Sequence, residues 1–158
     1  MKTKLFEEIQ RGLLAILAVA ITVTAIFSVI AIVEAYKTTG FTWVAVLPTA
    51  IAIVILGVTL AIFSKMIVTL DEEMLRFGFP PFVIKVPVDK VTRIAQSKAG
   101  FGRTFGIGIR YMVDGRILYN TFWGNIIEVD FAGRRYAFSC RNPERFMDAF
   151  KTLRPDIA

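Results

Sequence analysis

The first half of the chain contains two long apolar runs that carry no charge. They are residues 12–33 and residues 41–63, and neither contains Asp, Glu, Lys or Arg. As a helix, each run of about 22 residues is about 33 Å long, which is enough to cross a hydrocarbon core of about 30 Å. The connecting residues 34–40 are few, so the two helices are predicted to form an antiparallel hairpin with both chain ends on one side. Residues 1–64 are therefore predicted to be an N-terminal segment followed by a transmembrane hairpin.

From residue 65 onward the pattern changes to short segments in which apolar and polar positions alternate. Examples are "KMIVTLD", "FVIKV", "KVTRIAQS" and "NIIEVDF". A period of two over short runs separated by turn residues is typical of strands. Asp114-Gly115 and Ala132-Gly133 are predicted to be hairpin turns. Seven or eight such strands predict a barrel or sandwich over residues 65–158, and this domain is expected to fold without the spans.

The last segment, about residues 143–154, is predicted to be one amphipathic helix. Asn142 is expected to cap it, with Pro143 at its first position. Its apolar stripe repeats every three or four residues and consists of Phe146, Ala149, Phe150 and Leu153. Such a stripe needs an apolar surface to cover, so the helix is expected to close one open end of an antiparallel barrel.

The stretch "GFGRTFGIG", residues 100–108, raises the question of a phosphate-binding loop. A dinucleotide loop needs a third glycine five residues after the first, where Phe105 stands. The residues that follow alternate, which predicts a strand rather than the helix that such loops precede. The stretch is therefore interpreted as a structural loop. Because Phe101 and Phe105 flank Arg103, it is also the candidate interaction loop, since exposed apolar surface beside charge marks interaction sites.

The basic residues determine the predicted orientation of a chain whose formal net charge is +6. Residues 1–11 carry three Lys or Arg against two Glu, whereas the loop between the spans carries one of each. Lys and Arg near the ends of spans favour the cytoplasmic side, so the prediction is a multi-pass cell-membrane protein with two spans and both termini in the cytoplasm. The basic residues predicted to face lipid are Lys65, Lys98, Arg110, Arg116, Arg134 and Arg135. A solvated surface and a protein-binding surface stay open for the same residues, and nucleic acid is not expected because they are spread over several elements.

The composition argues against several kinds of catalytic or metal site. The chain has no histidine and one cysteine, Cys140, so the commonest general base and metal ligand are missing and no disulfide can form within the chain. Asp71-Glu72-Glu73 is interpreted as a solvated hairpin tip rather than a metal site. A Ser–Lys pair is open by composition, but no motif supports one. The expectation is a protein without cofactor, metal or catalytic residues, and not an enzyme.

The second half of the chain carries a set of short glycine and proline motifs. They are Gly106-Ile107-Gly108-Ile109-Arg110, Gly115, Asn120 to Gly124, Gly133 and Asn142-Pro143-Glu144. In this order they resemble the membrane-attached bacterial and archaeal PH-like (pleckstrin-homology-like) domains, a largely uncharacterised family. The resemblance covers residues 66–154 and implies a mainly β PH-like barrel or sandwich with one C-terminal capping helix. Two preceding spans also fit that family.

The resemblance also bears on the expected ligand and function. Eukaryotic PH domains that bind inositol lipids use a basic loop between their first two strands, and the corresponding loop here is acidic, so that use is not expected. The prediction is a membrane-anchored PH-like interaction module that scaffolds or assembles partner proteins at the cytoplasmic membrane face. Its expected partners are membrane lipids and an unknown membrane or cytoplasmic protein, and a homo-oligomer is left open. The alternative is an accessory or small channel or transport subunit built on the hairpin, which is disfavoured because the spans contain no ionisable side chain.

Overall fold

The computed structural model describes residues 4–11, 13–39, 43–97, 108–121 and 125–157. In chain order the elements are β1 (Lys4–Gln10), α1 (Leu13–Thr39), α2 (Trp43–Phe63), β2 (Met66–Asp71), β3 (Met74–Phe79), β4 (Phe82–Pro87), β5 (Val91–Ser97), β6 (Gly108–Tyr111), β7 (Ile117–Asn120), β8 (Asn125–Phe131), β9 (Arg134–Cys140) and α3 (Pro143–Leu153). A single 3₁₀ turn precedes β5. Two long apolar helices, β-structure and a C-terminal helix are thus confirmed, and one further strand lies in front of the helices.

The helices α1 and α2 coincide with the two apolar runs. The candidate spans within them, Ala18–Thr38 and Val46–Phe63, are long and apolar enough to cross a membrane, and neither is buried inside the protein. α1 continues beyond residue 33, where the uncharged run ends. Glu34 and Lys37 form an ion pair of 2.9 Å on these last turns, a spacing of three residues that supports a helix.

The chain forms two compact units, and the boundary between them differs from the prediction. One unit is Leu13–Ser64, and the other, which we call the β unit, is Met1–Gly12 together with Lys65–Ala158. The sequence predicts that the N-terminal segment belongs with the hairpin, but β1 pairs antiparallel with β2, with Gln10 opposite Met66. The apolar hairpin is therefore inserted between two neighbouring strands of one sheet.

The residues of β1 explain why its pattern does not predict a strand. Phe6, Glu8 and Gln10 are buried, whereas Ile9, on the opposite face, is 47% exposed. Strands are recognised by apolar residues on the buried face and polar residues on the other. β1 buries two polar residues and exposes an apolar one, so this signal is missing.

The β unit contains two sheets. Sheet A has the strand order β1-β2-β3-β4, and sheet B has the order β5-β8-β9-β7-β6. The hairpins predicted at Asp114-Gly115 and Ala132-Gly133 are confirmed as the β6–β7 and β8–β9 turns. β9 lies between β7 and β8 and pairs with both, parallel to β7 and antiparallel to β8. Among the described strands neither sheet closes, so the expected antiparallel barrel is not confirmed.

The core lies between the inner faces of the two sheets. Phe77 of β3 stacks on Phe138 of β9 with ring centroids 4.6 Å apart, and it meets Tyr119 of β7 edge to face at 5.5 Å. Gly78 has a φ of 133°, and a Cβ there would lie 2.5 Å from the backbone oxygen of Phe82 and 3.2 Å from the Tyr119 ring. Glycine at this position therefore permits both the backbone conformation and the close approach of the ring.

The helix α3 packs on this core through its predicted stripe. Phe146 and Phe150 are fully buried. The Phe146 ring meets Phe6 at 5.3 Å and Phe138 at 5.4 Å, both edge to face. One aromatic ring of the C-terminal helix therefore contacts the N-terminal strand and sheet B together.

The acidic turn between β2 and β3 is only partly the solvated tip that the sequence predicts. Glu72 and Glu73 are exposed, but Asp71 is buried. Its Oδ1 accepts hydrogen bonds from the backbone N–H groups of Met74 at 2.7 Å and of Glu73 at 3.1 Å, and its carboxylate pairs with Arg76 at 3.2 Å. Asp71 is therefore buried because its carboxylate accepts the backbone hydrogen bonds that stabilise the turn.

Candidate functional site

The β unit has two ends, defined by where the chain passes to the helices. Gln10 and Met66, the strand residues nearest to the helices in the sequence, are paired, and the Gln10 side chain donates to the backbone oxygen of Ser139, near the C-terminal end of β9. We call this end of the β unit the exit end. Arg134, at the start of β9, lies roughly 17 Å from Ser139 at about 3.3 Å per residue. The end at which β9 starts is called the far end.

The residues predicted to face lipid do not form one surface. Lys65 is exposed at the exit end, whereas Arg134 and Arg135 are exposed at the far end. Arg116 also belongs to the far end, because β7 and β9 run parallel and start side by side. A single lipid surface cannot contact both ends of the unit at once unless the unit lies on its side.

Arg116 is held by two carboxylates. Its guanidinium donates to Asp114 in the same turn and to Glu128 of β8. The hydrogen bond from Arg116 lowers the pKa of Asp114, and the same bond raises the pKa of Arg116. Arg116 therefore fastens the β6–β7 hairpin to β8 and is not free to bind a lipid phosphate. Arg110 is half-buried in β6 and also has an interaction partner.

The candidate interaction loop is not part of the described structure. Four predicted site residues lie outside the described residues: Lys98, Phe101, Arg103 and Phe105. The described residues on either side are Ser97, which pairs with Ile126, and Gly108, which pairs with Asn120. Ser97 belongs to the exit end because its partner Ile126 pairs in turn with Ser139. Gly108 belongs there too, because its partner Asn120 is the last residue of β7, which runs parallel to β9. The segment between β5 and β6 therefore starts and returns at the exit end.

The far end carries exposed apolar and basic side chains together. Tyr111 is 82% exposed and Val113, in the β6–β7 turn, is fully exposed. Arg134 and Arg135 follow the neighbouring β8–β9 turn. We call these four residues the far-end surface. Aromatic and Arg side chains are enriched where proteins bind each other, so this surface has the composition of a protein contact.

A buried polar cluster fixes the exit end. Gln10 is 1% exposed, and its Nε2 donates to the backbone oxygen of Ser139 at 2.9 Å. Its Oε1 accepts from the hydroxyl groups of Thr121 and Ser139, and the Ser139 hydroxyl accepts from the backbone N–H of Thr121 at 3.0 Å. Side-chain hydrogen bonds thus join β1 of sheet A to β9 and the end of β7 in sheet B.

Glu8 extends this cluster to the start of α3. Its carboxylate accepts from the backbone N–H groups of Arg141 at 2.9 Å and Asn142 at 3.2 Å, and from Asn142 Nδ2 at 3.4 Å. Asn142 makes no side-chain capping bond, so the predicted cap is not formed, and Glu8 from another strand instead binds the backbone just before the helix. A carboxylate at a helix N-terminus is also favoured by the helix dipole.

Cys140 lies against the same carboxylate. The residue is fully buried, and its Sγ is 3.8 Å from Glu8 Oε2. Burial, with a smaller contribution from the negative charge of Glu8, raises the pKa of the Cys140 thiol to about 12. Because the thiolate is the reactive form of cysteine, this thiol is a poor nucleophile near neutral pH.

The buried cluster is structural in character. Within the described ranges, no buried side-chain nitrogen or oxygen lacks a hydrogen-bond partner, and no three His, Cys, Asp or Glu side chains are grouped as a metal site would need. A ligand site commonly leaves polar groups directed at the ligand, whereas here the bonds are made within the protein. The cluster therefore serves to hold β1 in the β unit.

Replacing Glu8 by alanine is expected to destabilise the β unit by about 1–3 kcal/mol, because the part-buried N–H groups of Arg141 and Asn142 lose their acceptor. Glu7→Ala is the matched control, since Glu7 is exposed and pairs with Lys4 on the surface, where an ion pair contributes about 0–1 kcal/mol. The measurement is the thermal midpoint of the full chain in mild detergent. Equal midpoints for the two variants would show that Glu8 does not support α3.

A groove of about 480 Å³ lies between the β2–β3 turn and the end of α3. Its charged lining includes Glu72, Glu73 and Asp89 against Arg154. Arg154 is already engaged in hydrogen bonds within the protein. Its guanidinium donates to the backbone oxygens of Val88 and Asp89, both at 2.9 Å, and to Asp156. The hydrogen bonds of Arg154 thus fix the end of α3. The acidic side chains that line the groove give it a negative surface.

No protein-family model, curated protein or solved structure matches this chain. The resemblance to PH-like domains therefore rests on the short motifs of the sequence.

Proposed function

We propose that the chain is a membrane-anchored interaction module that scaffolds or assembles partner proteins at the cytoplasmic face of a membrane. The observation that carries this proposal is the insertion of the helical hairpin between β1 and β2. Both helices are long and apolar enough to cross a membrane, and both ends of the hairpin continue into paired strands. Because Gln10 lies opposite Met66, the two ends of the hairpin lie on the same side of any membrane that it crosses.

The double connection supports a role in presenting the β unit to partners. A domain joined to its anchor by one linker rotates freely, whereas two connections to adjacent strands restrict rotation. Confinement at a surface also raises the effective concentration of a binding module toward partners on that surface. The positive charge of residues 1–11 and of the β unit favours the cytoplasmic side.

The far-end surface is the proposed contact for a protein partner. Tyr111 and Val113 supply exposed apolar area, and Arg134 and Arg135 supply positive charge. This chemistry fits a partner with an acidic and partly apolar surface, because complementary charge gives specificity and faster association. The segment with Phe101, Arg103 and Phe105 stays a predicted second contact.

A PH-like fold is part of the proposal. It is supported by the sequence motifs, by the antiparallel meander of β1 to β4 and by the C-terminal helix that packs on the core. The parallel pairing of β7 with β9 departs from the antiparallel barrel that the resemblance implies. The transport alternative has no such support, since the charged side chains in the described candidate spans, Glu34 and Lys37, pair with each other.

Crosslinking from the far-end surface tests the proposed function. A Val113→Cys, Cys140→Ser chain would carry a photoactivatable crosslinker at position 113 in native membranes. We expect an adduct with a protein that also copurifies with the chain in mild detergent. Tyr111→Ala combined with Arg134→Glu and Arg135→Glu is expected to reduce the adduct more than tenfold, since hot-spot residues contribute about 2 kcal/mol or more each.

The control for this experiment is Arg145→Glu, which reverses an exposed charge near the start of α3 and should leave the adduct unchanged. An adduct that survives the triple substitution, or one formed only with a second copy of the chain, would contradict the proposed scaffold.

The orientation is tested with Thr38→Cys in the Cys140→Ser chain, which a membrane-impermeant thiol reagent should label on intact cells. Labelling at Thr3→Cys instead would reverse the topology.

A further inference from the structure

The outer face of sheet A has an apolar row beside the exit end. Ile9 pairs with Ile67, Ile67 pairs with Gly78, and Gly78 pairs with Val83. Ile9 is 47% exposed, and Ile67 and Val83 are half-buried. The isoleucines point away from the core, because the neighbouring residues along their strands are buried on the other face. An apolar row thus crosses the sheet at the level where the chain passes to the helices.

Phe82 lies at the same end of sheet A but on its other face. Its register partner, Phe79, is buried in the core, and residues directly opposite each other share a face. Phe82 is 51% exposed because it is the first residue of the edge strand β4. We call Ile9, Ile67 and Val83 the exit-end patch.

The next row of the same face is polar. It consists of the register partners Glu7, Thr69, Arg76 and Lys85. Each of these residues is two positions along its strand from the apolar row, which is about 7 Å. The outer face of sheet A therefore changes from apolar to polar with distance from the exit end. The solvated face of an antiparallel sheet is commonly polar, so an apolar row confined to one end of that face calls for a cause.

The length of the connecting chain supplies that cause. Phe63, the last residue of α2, and Met66, the first of β2, are three positions apart, so the chain between them extends at most roughly 11 Å. Gln10 and Leu13 are also three residues apart. The exit end is therefore within a short distance of the membrane surface if the helices cross the bilayer. Lys65 and Arg11, in the two connections, are exposed.

We infer that the exit-end patch contacts phospholipid at the boundary between headgroups and acyl chains, with Lys65 and Arg11 beside anionic headgroup phosphates. Amphipathic surfaces that rest on membranes bury their apolar side about 5–10 Å deep, which matches one apolar row followed by a polar one. Basic residues next to a span are drawn to anionic lipid. This inference rests on the proposed function, because it requires the hairpin to cross the membrane.

The basic residues beside lipid in this arrangement differ from those predicted from the sequence. Arg134 and Arg135 were candidates from the sequence, but they belong to the far end, roughly 17 Å from Ser139 along β9. With the exit end on the membrane, the far-end surface points into the cytoplasm. Lipid contact and protein contact are then assigned to opposite ends of the β unit.

Spin labels at three positions test this assignment in the full chain. Single cysteines replace Ile9, Val113 or Val54 in a Cys140→Ser chain reconstituted into vesicles of phosphatidylcholine with anionic phosphatidylglycerol. Val54 lies in α2 and Val113 at the far end, and both side chains are exposed. Collisions with oxygen, which concentrates in lipid, are compared with collisions with a water-soluble nickel chelate. We expect oxygen to dominate at positions 9 and 54 and nickel to dominate at position 113.

Each other outcome overturns a defined part of the argument. Nickel dominating at position 9 while oxygen dominates at position 54 would refute the lipid contact and leave the membrane anchor intact. A label at position 9 that neither reagent reaches would show that protein, such as a second copy of the chain, covers the patch. Nickel dominating at position 54 would refute the anchor and with it the proposed function. Val83→Cys is the second variant at the patch and should give the same result as Ile9→Cys.

Discussion

A chain that lacks residues 1–10 is expected to lose the folded β unit, whereas a chain in which a tight turn replaces the helices is expected to keep it. The first change removes Phe6 from the core together with the hydrogen bonds of Glu8 and Gln10. Deleting a buried Phe costs about 3–5 kcal/mol, and each lost hydrogen bond costs about 1 kcal/mol more. The sum approaches the whole stability of a typical domain, about 5–15 kcal/mol. Residues 65–158 are therefore not expected to fold without β1, in contrast to the prediction from the sequence.

The second change follows from the register of β1 and β2. Because Gln10 and Met66 lie opposite each other, a two-residue Asn-Gly turn in place of residues 11–65 gives an ordinary β-hairpin with a favoured turn. The product contains no candidate span and is expected to be a folded, water-soluble β unit. It would also provide a protein in which the stability of the β unit can be measured without detergent.

Cys140 reports the outcome of both changes. Its thiol is fully buried beside Glu8, and burial raises its pKa to about 12, so a thiol reagent near neutral pH should modify it slowly while β1 is in place. In the hairpin-replaced chain modification should become fast only in denaturant. In a fragment of residues 65–158 it should be fast in buffer. A protected thiol and an intact near-ultraviolet circular dichroism spectrum in that fragment would show that β1 is dispensable.

Phe146→Ala is expected to destabilise the β unit by about 3–5 kcal/mol. Phe146 is fully buried and its ring contacts Phe6, Phe138 and Phe150, so its removal leaves a cavity between β1, sheet B and α3. The measurement is urea denaturation of the hairpin-replaced chain. The loss should appear as a lower denaturation midpoint with an unchanged slope.

Phe82→Ala is the matched control for this substitution. It removes the same side chain from a position that is 51% exposed, and in the soluble chain it should change the free energy of unfolding by less than about 1 kcal/mol, since little area is buried there. If the two substitutions cost the same, α3 does not pack on the core through Phe146.

Several elements were determined by local sequence. The two helices follow from uncharged runs long enough to span a bilayer, and no contact elsewhere is needed to specify them. The turns at Asp114-Gly115 and Ala132-Gly133 follow from residues that favour tight hairpins. The stripe of α3 follows from residues three and four apart, and its burial confirms the prediction. In each case the signal lies within a short stretch of chain.

Tertiary structure decided the features that depend on distant partners. β1 belongs to the β unit because Glu8 and Gln10 bond to groups about 130 residues away along the chain, and neither residue type predicts burial. Arg116 joins the β6–β7 hairpin to β8, and is not a lipid contact, because folding brings Glu128 next to it. The division into an exit end and a far end depends on strand order and direction, above all the parallel pairing of β7 with β9. Residue types and spacing alone do not fix that pairing, because hydrogen bonds between strands are made by the backbone, and every residue except proline carries both groups they need.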